Sequence, residues 1–146
     1  MSLIEAEIAT IRRSPDEVDW KSISKRQLSE SFIREFANRV DWKYISFHQK
    51  LSEAFIREFS DRVDWIWISR YQKLSEEFIR EFANRVDWEM ISYQQKLSIK
   101  FIREFKPRLT MCKNLKQCIR HEHMLNTFTM NQKIPSDVTS LIAAFV

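Results

Sequence analysis

One segment recurs four times in this chain, and it dictates the kind of fold available. Val-Asp-Trp opens each copy, at Val18, Val40, Val63 and Val86. Phe-Ile-Arg-Glu-Phe closes each copy, starting at Phe32, Phe55, Phe78 and Phe101. The first copy is 22 residues long and the next three are 23, so the array covers residues 18–108. A period in the twenties means stacked supersecondary units, each too small to bury its own apolar face.

Each copy carries two helix starts. In the second, Asp41 has the position of an N-cap, with Val40 before it and Ile45 after it at staple spacing. The pattern returns with Leu51, Ser52 and Ile56. Two starts about eleven residues apart predict a hairpin, with helix A near 42–49 and helix B near 53–61. A single helix per copy would strand Asp and Ser mid-helix, where they are poor formers. The expected fold is therefore all-α, a solenoid of four helical-hairpin repeats with capping helices at both ends. At about 100° per residue, Trp42, Ile45, Ser46 and Gln49 share one side of helix A. Phe55, Ile56 and Phe59 share one side of helix B. The recurrent Trp, Ile and Phe are the expected core, with all four Trp buried and the small Ser allowing close approach. Helices this short need such packing, being unstable alone in water.

The chain contains no glycine. Glycine C-caps are impossible, so helix B is expected to end at Asn38, Asp61 or Asn84, or to run on into the next cap. Phosphate-cradling loops, dinucleotide fingerprints and nucleophile elbows are excluded too, because each needs backbone that only glycine supplies. The Arg and Glu of the recurrent motif are expected to pair between neighbouring repeats. The alternative is an anion-binding stripe of Arg34, Arg57, Arg80 and Arg103.

The ends differ from the repeats, as end caps should. Leu3, Ile4, Ile8 and Ile11 have helical spacing, and Ser14 to Glu17 breaks the pattern, predicting an N-terminal capping helix over 1–17. Residues 109–146 read as a C-terminal cap. Leu109, Thr110 and Met111 take the place of Val-Asp-Trp in a degenerate fifth repeat, with Met111, Leu115, Cys118 and Ile119 as its buried face. A last helix after Pro135 carries Val138, Leu141, Ile142 and Phe145 on one stripe.

Between copies, the positions opposite the core face of helix A vary. They include Tyr44, Phe47, Trp67, Arg70, Tyr71, Met90 and Tyr93. Aromatics with Arg and Met have the composition of interface hot spots, and repeat arrays bind along one face. The other possibility is that these rings pack on one another and thicken the core.

Chemistry of other kinds is sparse. Cys112, Cys118, His121 and His123 follow no standard zinc spacing, so no metal site is expected. No Ser-His-Asp or Cys-His pairing can be assembled, because Asp and Ser are used as caps; neither enzymatic activity nor a cofactor is expected. The net charge of +4 with alternating signs is weak for a nucleic-acid binder. No apolar run reaches the roughly 18 residues of a membrane span. Met1 to Glu5 lacks signal-peptide character, and two cysteines suit a reducing compartment. An intracellular setting is expected.

The string from Val40 to Phe59, Val-Asp-Trp-x-x-Ile-Ser-x-x-Gln-Lys-Leu-Ser-Glu-x-Phe-Ile-Arg-Glu-Phe, resembles tandem repeats encoded by giant double-stranded DNA viruses. The resemblance implies a viral origin, in host cytoplasm, nucleus or virion, and brings no activity with it. Ile134 to Val146 resembles the opening of an F-box. Pro135, Asp137, Val138, Ile142, Phe145 and Val146 match that family's pattern, while Ile134 stands where Leu is usual. The later F-box helices are absent from the sequence. Some poxvirus ankyrin-repeat proteins share the layout of repeats followed by a truncated F-box. The resemblance implies docking on the linker subunit of a cullin-type ubiquitin ligase; otherwise the segment is a plain cap.

Three functions are therefore in view. The first is a non-enzymatic scaffold that binds a protein partner through the variable aromatic face. The second is a substrate adaptor for a ubiquitin ligase. The third is a nucleic-acid-binding repeat that uses the Arg stripe.

Overall fold

The structure, a computed structural model, describes residues 5–109. Among these residues every regular element is helical, which bears out the all-α expectation. The chain divides after Gln72 into two compact units. The first holds α1 (Glu5–Arg13), a 3-10 turn (Pro15–Glu17), α2 (Trp20–Ser24), α3 (Glu30–Glu35), α4 (Trp42–His48), α5 (Glu53–Glu58) and α6 (Trp65–Tyr71). The second holds α7 (Glu76–Glu81), α8 (Trp88–Gln94), α9 (Ile99–Glu104) and α10 (Lys106–Leu109).

Both cap sets form as the sequence requires. Asp19, Asp41, Asp64 and Asp87 accept amide hydrogens from the first turn of α2, α4, α6 and α8. Ser29, Ser52, Ser75 and Ser98 do the same for α3, α5, α7 and α9. These bonds satisfy donors that no helix can satisfy internally. The Asp19 carboxyl is held below the usual carboxylate range, chiefly by the Ser22 hydroxyl and then by the Ser22 backbone N–H.

The B helices end earlier than expected. They close at Phe36, Phe59, Phe82 and Phe105, with φ between −112° and −103°. Such angles are open to any residue, so the lack of glycine costs nothing here. A tight turn follows, in which the amides of Arg39 and Val40 both donate to the Phe36 carbonyl, at 2.8 and 3.1 Å. Leu109 takes the place of Val after the fourth copy. It is fully buried, and its amide donates to the Phe105 carbonyl at 3.1 Å.

The core of the first unit is Ile11, Phe32, Ile33, Phe36, Val40, Ile45 and Phe55, flanked by Ile8, Leu28 and Leu51. Ile8 and Ile11 place α1 on this core as a cap. In the second unit Phe78, Ile79, Ile91, Phe101, Ile102 and Leu109 are buried. The tryptophans correct the sequence expectation, for all four are only half-buried. Each indole N–H needs an acceptor and finds the carbonyl five residues earlier. Trp20 donates to Pro15, Trp42 to Ala37, Trp65 to Ser60 and Trp88 to Ala83, at 2.9–3.0 Å. The ring thus lies across the preceding turn. Trp42 still packs on Phe59 with centroids 4.8 Å apart.

Polar joints tie successive repeats together. Gln49 is buried; its Oε1 accepts from Leu28 N–H at 3.0 Å, and its Nε2 donates to the Ser24 and Arg26 carbonyls at 3.2 and 2.6 Å. Gln72 repeats this one step on, accepting from Leu51 N–H and donating to the Gln49 carbonyl. In the second unit Gln95 accepts from Leu74 N–H at 3.2 Å. The buried Ser24 and Ser46 hydroxyls accept from the Asp41 and Asp64 amides at 2.9 Å while donating to the Trp20 and Trp42 carbonyls at 2.7 Å.

The motif's charges pair as expected. Arg34 reaches Glu58 at 2.7 Å, and Arg80 reaches Glu104 at 3.0 Å. Arg12 of the cap makes a two-pronged contact with Glu35, both bonds at 2.7 Å. That contact, with the Arg12 hydrogen bond as its largest part, holds the Glu35 carboxyl below its ordinary range.

Candidate functional site

The variable positions of helix A come together in the first unit. There α2 packs beside α4, and α4 beside α6. Residues three or four apart on a helix are neighbours, so Tyr44, Phe47 and His48 form one group on α4, and Trp67, Arg70 and Tyr71 form another on α6. Phe47 joins the groups. Its ring meets Trp67 edge-on at 4.9 Å and Tyr71 at 5.0 Å. Trp67 stacks on Tyr71 at 5.7 Å, and Tyr44 on His48 at 6.0 Å.

The rings pack on one another without becoming core. Tyr44 and Trp67 are half-buried against their neighbours, while Phe47 and Tyr71 keep 37% and 47% of their surface in solvent. The rings wall an open concavity of about 170 Å³, lined by Lys43, Tyr44, Phe47, His48 and Trp67. Cations surround it. The Lys25 ammonium stands 4.7 Å from the Tyr44 ring centroid, the Lys21 ammonium 5.9 Å, and the Arg70 guanidinium 5.4 Å from that of Tyr71. Such contacts hold flexible side chains over aromatic faces.

Met90 and Tyr93 lie one turn apart on α8, in the second unit. Tyr93 is 58% exposed and Met90 is half-buried. The structure therefore groups Tyr44, Phe47, Trp67, Arg70 and Tyr71, and places Met90 and Tyr93 on a separate unit. Sequence reasoning left Ile66, Lys43 and His48 out of the site. Ile66 is 54% exposed, and Lys43 and His48 line the concavity. All three sit at positions that vary between copies, which was the available signal.

The Arg stripe is engaged elsewhere. Arg34, Arg57 and Arg80 each face a carboxylate one turn back on the same helix, at 3.6, 3.8 and 3.6 Å. Arg34 and Arg80 also lie over the Phe55 and Phe101 rings, 4.9 Å from each centroid. Among the described residues no group of three His, Cys, Asp or Glu could hold a metal, and no helix is long and apolar enough to cross a membrane. Cys112, Cys118, His121 and His123 lie outside the described residues. So do the F-box-like Pro135, Asp137, Val138, Ile142 and Phe145. No family model, curated protein or solved structure matches the chain.

Proposed function

We propose that the protein is a non-enzymatic interaction scaffold that binds a protein partner through the aromatic face of α4 and α6. The observation that carries this is the half-open aromatic concavity on the face opposite the core. Apolar rings left in solvent beside a pocket are the composition of binding hot spots. The surrounding repeats are joined by side-chain hydrogen bonds to main-chain atoms of their neighbours, which is how a scaffold pre-organises a surface. Met90 and Tyr93 belong to the same proposal as a second contact on α8. The resemblance to viral repeats supports a setting inside an infected cell.

A nucleic-acid-binding role through the Arg stripe is disfavoured, because the Arg34, Arg57 and Arg80 guanidinium groups already face carboxylates. The ubiquitin-ligase adaptor role belongs to the segment after Pro135 and is compatible with the scaffold role, since that segment would dock the ligase while the aromatic face held the substrate.

The experiment uses tagged full-length protein and a Tyr71→Ala variant of it. Proteins retained from cells by the first and lost by the second are purified, and their affinities for both forms measured by titration calorimetry. At least tenfold weaker binding to the variant is expected. Equal affinity for both forms refutes the role of this face.

A further inference from the structure

The fold sorts charges that alternate along the sequence. In the first unit, α2, α4 and α6 contain no Asp or Glu at all. Their exposed positions, with the residue that ends α2, carry Lys21, Lys25, Lys43 and Arg70. The glutamates of these repeats sit instead on the B helices, where Glu30, Glu53 and Glu58 face Arg34 and Arg57. The Asp caps of the A helices point into their own first turns. The aromatic concavity is therefore bordered mainly by cations, with the Asp41 and Asp64 carboxylates held at the helix starts as caps, although the chain as a whole carries only +4.

We infer that this face binds an acidic peptide segment that inserts one apolar side chain between Tyr44, Phe47 and Trp67, while Lys25, Lys43 and Arg70 pair with its flanking carboxylates. The inference rests on the interaction role proposed above for the same surface and names its partner class. Charge complementarity selects the acidic flanks, because a positive patch steers and registers a negative partner. The concavity selects the anchor; its volume of about 170 Å³ suits one large aliphatic or aromatic side chain rather than an extended ligand. Single-stranded nucleic acid shares the charge requirement but needs open ring faces on which bases stack. Here the rings already contact one another. Tyr44 stacks on His48 and has the Lys25 ammonium over its ring, and Trp67 stacks on Tyr71. The geometry offers a small concavity among mutually packed rings, which suits a side chain better than a run of stacked bases.

The test is fluorescence anisotropy with a short labelled peptide of Asp and Glu carrying one central Phe. Two comparison probes are the same peptide with central Ser and an oligo-dT of similar charge. The protein is full-length, alone and as the Lys25→Glu, Lys43→Glu double variant. That variant changes only exposed side chains and is checked for native helix content by circular dichroism. The expected result is binding of the Phe peptide that is at least tenfold tighter than that of the Ser peptide, weakens as salt rises, and is lost in the double variant. Equal binding of the Phe and Ser peptides, or tighter binding of oligo-dT, overturns the inference in favour of unspecific charge attraction or a nucleic-acid partner. Absence of binding to any probe also overturns it. In that case the broader interaction role is judged separately, by whether Tyr71→Ala loses a partner that the unaltered protein binds.

Discussion

Replacing Gln49 by Ala tests how the repeats are joined. The side chain makes three hydrogen bonds, all to the main chain of the preceding repeat: one from Leu28 N–H, and one each to the Ser24 and Arg26 carbonyls. It is 4% exposed, so water cannot readily replace it. Each such bond contributes roughly 0.5–1.5 kcal/mol net, and a buried group left unpaired costs about 1–3 kcal/mol. Some carbonyls will relax or find water, so a loss of about 2–4 kcal/mol is expected, a large fraction of the stability of a small domain. Gln27 is the internal control. It occupies the same place in the first repeat, yet it is exposed, and Gln27→Ala should change stability by less than about 0.5 kcal/mol. Gln49→Glu is a sharper probe. It keeps the acceptor, removes the donor and sets a carboxylate against two carbonyls. It should be at least as damaging as Ala at neutral pH, and should recover as the pH falls and the carboxyl regains a proton to donate. Urea unfolding followed by circular dichroism measures all three variants. If Gln49→Ala and Gln27→Ala cost the same, the joints contribute nothing and burial of Phe and Ile alone holds the array.

Three further outcomes are expected. Phe55→Ala removes a fully buried ring and should cost about 3–5 kcal/mol in the same assay; a cost under 1 kcal/mol would show that the core does not run through Phe55. On the aromatic face, Tyr71→Ala should lower the melting temperature less than Trp67→Ala, because Tyr71 is exposed while Trp67 is half-buried against Phe47; the reverse order in a thermal melt would contradict the packing described. Finally, the contact with Arg12 depresses the Glu35 carboxyl, so its contribution is complete above the unfolded carboxylate value of about 4.3 and disappears as the pH falls through the lower folded value. The stability gap between the unaltered protein and Glu35→Gln should stay constant near neutrality and close below about pH 4; a gap unchanged in acid would mean that the ion pair is not its source.

Much of the fold was legible because each local signal agreed with the next. Asp41 and Ser52 both had cap positions with apolar residues at staple spacing, and both act as caps. The Arg-Glu ladder followed from the period alone, since a repeat of fixed length brings equivalent charges together. The tryptophans misled, because hydrophobicity says bury while the indole N–H says stay within reach of a carbonyl, and only the turn supplied one. The role of Gln49 was hidden for a similar reason. Helical spacing put it on the core side, but its partners are backbone groups more than twenty residues away, which no side-chain pattern encodes. On the candidate site, aromatic content was visible in the variable positions. Charge segregation was not, because Lys and Glu alternate along the chain and separate only when the A and B helices turn to different sides.

The joints made by Gln49, Gln72, Ser24 and Ser46 read main-chain atoms, not the identity of side chains. Within the first unit, each hairpin presents main-chain carbonyls and amides to the one that follows it. A unit of this kind is interchangeable: one copy can be added, removed or exchanged for another, and its neighbours still find the same donors and acceptors. Change at the outward positions of an A helix therefore has no echo in the seams. Diversity on the surface is separated from assembly of the array, so a lengthened chain gains recognition surface in steps of one turn-helix-turn-helix module, with no new interface to invent.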